Sequence, residues 1–138
     1  MNVYLDSSAV LRPLLGQSNP IAEWGTWEAA YASELLGIEC RRAIDRLRLE
    51  GLFDDKQVAE AGEQLSVIER TIGRLRITAA IVREASRTMP TIVKTLDAIH
   101  LASAVALRDR RAIDLVFVTH DDQQATAARA LGFTTVGV

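Results

Sequence analysis

The chain has 138 residues, a formal net charge of −2, 49% hydrophobic and 25% charged residues. That is enough for one domain, spanning 1–138, with a core that needs no staples, and the balance excludes disordered and fibrous classes. Cys40 is the only cysteine, which excludes an intramolecular disulfide and a cysteine-built zinc cluster and agrees with a reducing compartment.

The amino terminus lacks the basic flank and apolar stretch of a signal peptide. No apolar run approaches the roughly 18 residues of a membrane span. A cytoplasmic protein without a membrane partner is expected. Of the 16 basic residues only Lys56 and Lys94 are lysines. The arginines cluster at 41–48, 70–76 and 108–111, which suits either phosphate recognition or solvated helix faces.

A short strand is predicted over residues 2–6, from its β-branched and aromatic content. Ser7 and Ser8 offer capping hydroxyls for a helix to about 15, which Pro13 should shorten or kink. After the turn residues 16–20, a second helix is predicted over 21–28 and a weak strand over 29–32. Trp24 and Trp27, a helical turn apart, suit a core or a partner contact.

Ser33 is the expected cap of a long helix over 34–50, ended by Gly51. Asp54 and Gln57 resemble a capping box opening the next helix. Residues 71–78 alternate and read as a strand, followed by a helix to about 88. Thr95 is the expected cap of a buried helix over 96–108. The strongest strand follows at 114–119, then a helix capped by Asp121 or Asp122 and a last strand over 133–138. Strands alternating with helices imply a parallel sheet covered on both faces.

Four acidic residues stand in apolar or small-residue surroundings: Asp6, Glu39, Asp97 and Asp121. Burying a carboxylate costs hydration, and several together raise one another's pKa. A hard divalent cation such as Mg²⁺ or Mn²⁺ relieves both penalties through oxygen ligands. Asp6 and Asp121 each follow a strand, the edge where parallel sheets gather ligands. Asp97, His100 and Ser103 form a polar line at steps of three along an apolar helix.

Each residue also has a structural reading. Asp6 and Asp121 could be helix caps. Glu39 could pair with Arg42 or Arg46, His100 could be a satisfied core histidine, and Cys40 a small core residue. Neither Ser7 nor Ser8 has the glycine-flanked elbow of a hydrolase serine.

The segments Tyr4-Leu5-Asp6-Ser7-Ser8-Ala9, Ile38-Glu39, Leu96-Asp97-Ala98-Ile99-His100-Leu101-Ala102 and Val118-Thr119-His120-Asp121 resemble the motifs of PIN-domain ribonucleases, VapC-type toxins above all. The resemblance spans the chain and is most specific in the stretch 96–102. It implies an α/β fold of three layers, with a five-stranded parallel sheet in the order 3-2-1-4-5 flanked by helices. It also implies Asp6, Glu39, Asp97 and Asp121 as catalytic metal carboxylates, with Ser8 and Thr119 as supporting hydroxyls.

By the same resemblance the substrate is RNA, hydrolysed by a metal-activated water, the chain forms a homodimer, and a cognate antitoxin protein restrains it. Arg41 and Arg42 are candidates for steering the RNA backbone. Pro13, Gln124 and the neighbouring Asp122 depart from the family pattern, and Asp122 leaves the fourth acid ambiguous by one position. A catalytically silent RNA- or partner-binding module and a Mg²⁺-dependent phosphoacceptor receiver domain are the alternatives.

Overall fold

The computed structural model describes residues 1–22 and 24–138. Five strands form one sheet: β1 (Asn2–Leu5), β2 (Ala29–Ser33), β3 (Gly73–Leu75), β4 (Leu115–Val118) and β5 (Thr134–Val136). Their order is β3-β2-β1-β4-β5 and every pairing is parallel. Among the described residues six helices cover it: α1 (Ser7–Leu14), α2 (Leu35–Leu49), α3 (Asp55–Thr71), α4 (Ala79–Ala85), α5 (Thr95–Arg111) and α6 (Asp122–Ala130).

Alternation along the central strands makes two cores. Val3, Leu5 and Val118 pack with Val10, Leu36, Cys40 and Leu65 on the face covered by α1, α2 and α3. Tyr4 and Phe117 point the other way, against Leu101, Ala104 and Leu107 of α5 and Ala127 and Ala128 of α6. A strand buried on both faces has no solvent side, which is why β1 reads as a continuous apolar run. This three-layer α/β arrangement and strand order match the expectation. Among the described residues no helix is long and apolar enough to cross a membrane.

Several local expectations fail for identifiable reasons. No helix forms over the described part of 21–28, and Glu23 lies outside the described residues. Gly25 sits at φ +82, and Trp24 and Trp27 meet edge to face at 5.1 Å between ring centroids, packed against the core. The strand expected over 71–78 shrinks to Gly73–Leu75, because α3 runs on to Thr71 and only three residues pair with β2. The helix expected to reach 88 ends at Ala85.

Lys94, not Thr95, occupies the cap position of α5, without a side-chain cap bond. Glu34 takes that position in α2, though Ser33 Oγ accepts from the Leu35 amide at 3.2 Å. The Asp54–Gln57 capping box forms with both reciprocal bonds, at 2.8 and 2.9 Å. Pro13 falls in the last turn of the eight-residue α1, where it removes one helical donor but leaves almost no helix beyond it to kink.

Candidate active site

The register pairs Leu5 with Val118, so Asp6 and Thr119 leave the carboxyl edge of the sheet side by side. Asp6 stands at the N-cap of α1, yet its side chain makes no cap bond. Instead Oδ2 accepts from Ser8 Oγ at 2.7 Å and from Thr119 Oγ1 at 2.8 Å. Ser7 and Ser8 likewise turn their hydroxyls to acids rather than capping. The Ser8 hydroxyl oxygen also accepts from the His120 amide at 2.9 Å, and Thr119 Oγ1 from the Asp121 amide at 3.1 Å. A carboxylate only 5% exposed is thereby held by two hydroxyls that are themselves fixed by backbone.

Glu39 reaches the same edge from α2. Its Oε1 accepts from Ser7 Oγ at 2.7 Å and lies 2.6 Å from His100 Nε2. Tyr4 OH lies 2.9 Å from His100 Nδ1, so one fully buried imidazole joins the central strand to the Glu39 carboxylate. Burial alone would raise the Glu39 pKa, but the bond and charge of His100 and the Ser7 hydroxyl outweigh it and hold the carboxyl below its ordinary value. For His100, burial acts to lower the pKa, and Glu39 and Asp6 more than reverse it. Among the described residues Arg42 and Arg46 take no part: Arg42 pairs with Asp45 at 3.4 Å.

Asp97 lies in the first turn of α5, one turn before His100. Gln124, fully buried in α6, donates its Nε2 to the Asp97 carbonyl at 3.2 Å and ties the two helices together. The Asp97 carboxyl is pushed up to about 6 by burial first and then by the charges of Asp6 and Asp121. Asp121 caps α6, accepting from the Gln124 amide at 3.0 Å through Oδ1, whereas Asp122 is exposed on the first turn. Capping and facing Asp97 are compatible roles for Asp121.

Among the described residues none of these four acids forms an ion pair with arginine or lysine. The hydrogen bonds of Asp6 converge on Oδ2 and those of Glu39 on Oε1. Asp6, Glu39 and Asp121 thus each keep one oxygen without a hydrogen-bond partner among the described residues, though that of Asp6 lies 3.9 Å from His100 Nε2. A carboxylate with one oxygen tied by protein suits a ligand with its supporting hydrogen bonds in place. Among the described residues no group of three or more such side chains is already arranged to hold an ion. The donor set is all carboxylate oxygen, the chemistry of Mg²⁺ or Mn²⁺ rather than zinc.

A model of the PIN domain matches residues 3–130. The chain belongs to the PIN domain family. Ribonuclease VapC47 of Mycobacterium tuberculosis (strain CDC 1551 / Oshkosh) is 26% identical over 140 residues, covering 96% of this chain and 94% of that protein. The structure of FitAB bound to an IR36 DNA fragment matches with a TM-score of 0.68 at 14% identity, over 96% of this chain and 92% of that one. VapBC2 from Rickettsia felis, bound to a DNA fragment from its promoter, matches at 0.67 and 10% identity, over 98% and 97%. These two likenesses are of fold.

The PIN family is typically metal-dependent. Arg41 and Arg42 are held elsewhere: Arg41 grips Glu69 of α3 with two bonds, at 2.6 and 3.1 Å. Sequence reasoning missed Ser7 and Tyr4 as supports and read His100 as a core residue. The three-residue spacing from Asp97 to His100 was the available signal. Nothing local marks Tyr4, which reads as an ordinary strand aromatic.

Proposed function

We propose that this PIN-domain chain is a metal-dependent endoribonuclease, the toxin of a two-protein toxin–antitoxin module. One observation supports the reading: carboxylates from four elements lie near enough for Asp6, Asp121 and Glu39 each to act electrostatically on Asp97, uncompensated by arginine or lysine among the described residues. Burial and the neighbouring acids raise the Asp97 pKa, the signature of a site built for a cation. The similarity to ribonuclease VapC47 supports RNA as the substrate.

Asp6, Glu39, Asp97 and Asp121 would hold Mg²⁺ or Mn²⁺, which when bound supplies positive charge to the scissile phosphate and makes a water more acidic. The chain's residues contribute position. Ser8 and Thr119 fix Asp6, Ser7 and His100 fix Glu39, and the Gln124 amide fixes Asp121. The capping bond directs Asp121 and leaves Asp122 outside, so Asp121 is our choice for the fourth acid. We place the protein in the cytoplasm, as a homodimer restrained by a cognate antitoxin.

The test is cleavage of end-labelled RNA by nuclease-free protein with Mg²⁺ or Mn²⁺ and with EDTA. Asp97→Asn should retain the fold and fall below about 1% of wild-type activity, a loss on the order of 10²-fold, as when one charge-stabilising group is removed. Full activity of that variant would refute the assignment. Metal-dependent binding without turnover in the wild type would instead mark a silent RNA-binding module.

A further inference from the structure

We infer that a groove walled by Arg74, Arg76, Arg110 and Arg111 binds the phosphodiester backbone of the RNA strand beyond the acidic cluster. The inference rests on the nuclease reading and deepens it. The groove, of about 320 Å³, runs between the end of β3, the start of α4 and the second half of α5, with Ser103 and Leu107 among its lining residues, and among the described residues no acidic one lines it.

Several arginines of this chain are paired with acids. Arg41 holds Glu69, Arg42 and Arg48 share Asp45, Arg87 meets Glu84 and Arg108 meets Asp109. Among the described residues Arg76 and Arg110, like Arg46, Arg70, Arg83 and Arg129 elsewhere, have no acidic partner; what sets the groove apart is that four arginines line one concavity. Arg74 lies 3.9 Å from a Glu69 oxygen whose carboxylate already accepts two bonds from Arg41. Arg111 lies over the Tyr31 ring, 5.5 Å from its centroid, and donates to the phenol oxygen at 3.2 Å, a contact that orients the guanidinium without neutralising it.

Bringing four like charges to one concavity is unfavourable in a chain of net charge −2. The dipole of α5 accounts for Arg110 and Arg111 in its last turn, but not for Arg74 and Arg76, which come from the sheet. A polyanion accounts for all four.

The placement selects which polyanion. Asp97, His100, Ser103 and Arg110 follow one another along α5, so at 1.5 Å per residue the groove begins about 9 Å from Asp97 and reaches about 20 Å. The β3 side of the groove meets the same carboxyl edge, since the Leu75 carbonyl accepts from the Glu34 amide at the start of α2. The charges come in two pairs, Arg110 and Arg111 at the far end of α5 and Arg74 and Arg76 on the β3 side, and such a divided set suits successive phosphates of one strand rather than a single anion. Arginine forks match phosphate oxygens without reading bases, so the groove would add affinity and register, not sequence choice.

The test measures binding apart from cleavage. Fluorescence anisotropy of full-length Asp97→Asn with a labelled single-stranded RNA of about twelve nucleotides gives affinity against salt. Adding Arg76→Ala and Arg110→Ala should flatten the log–log salt slope by about 1.4, from about 0.7 per phosphate contact. Equivalently, binding weakens roughly 25-fold at about 0.1 M salt. Arg129→Ala, on α6, should leave the slope unchanged.

In the catalytically intact background the double variant should raise KM for that RNA, spare kcat, and leave cleavage of a dinucleotide unaltered. An unchanged slope, or no RNA binding by the parent protein, overturns the groove whatever the cleavage assay shows. A flattened slope in a protein that never cleaves would retain the groove and refute the nuclease.

Discussion

Asp97 bears a conflict between folding and chemistry. Its carboxyl, raised from 3.8 to about 6, binds a proton more tightly in the folded chain than in the unfolded one. Stability of the metal-free protein therefore falls as pH rises from about 4 to 6, and the full penalty persists above that. Glu39 has the opposite sign, because its lowered pKa supplies stability that is lost as pH falls below about 4.5. His100, raised above 6.5, supplies stability lost only at higher pH, so the interval 4.5–6 isolates Asp97. Asp97→Asn should remove that slope and, at pH 7 in EDTA, raise Tm by roughly 4 °C, about 1 kcal/mol for a chain of this size. Thermal unfolding followed by circular dichroism across pH checks both. A variant that loses activity while gaining stability is what a site held against its own repulsion produces; equal or lower stability would mean that Asp97 is already compensated within the protein.

Elements reach the site through short backbone contacts, and the β4–β5 end has little slack. Gly137 follows β5 at φ +110, and a Cβ there would press on the Thr119 carbonyl, a backbone atom that cannot swing away. Gly137→Ala should cost about 2 kcal/mol or more in denaturant unfolding and should also impair cleavage, because Thr119 holds Asp6. Unaltered stability would show that the turn can relax. At this scale, what is local was legible in the sequence: the central strands from their apolar runs, and the capping box from Asp54 and Gln57. The strand order was legible only through the family motifs, since nothing in the spacing of residues 2–6 and 114–119 says that the two are neighbours. Tertiary packing decided the rest. Gly25 and the edge-to-face tryptophans replaced a periodic helix with turns, and edge position cut β3 to three residues. The acids declared themselves by sitting in apolar segments, whereas Tyr4 and the groove arginines became meaningful only once the sheet placed them.

Across the whole molecule the four acids proposed as ligands stand at positions 6, 39, 97 and 121, so a cation held by them would cross-link nearly the entire chain. The unfolded chain has no such site, so binding free energy becomes folding free energy. Mn²⁺ at about 100 times its dissociation constant should add about 2.7 kcal/mol of stability, or roughly 10 °C in Tm. The gain should follow the logarithm of metal concentration and vanish on chelation. Metal binding should also lift the pH penalty, because a cation offsets the repulsion that the ionised Asp97 meets from Asp6 and Asp121. Above pH 6, wild type with Mn²⁺ should thus overtake Asp97→Asn, which in EDTA is the more stable of the two. That crossover requires the carboxylates to be both mutually destabilising and jointly ligating. A Tm indifferent to millimolar Mn²⁺, or an equal gain in both proteins, would leave the acids as structural groups and detach the fold from the chemistry assigned to it.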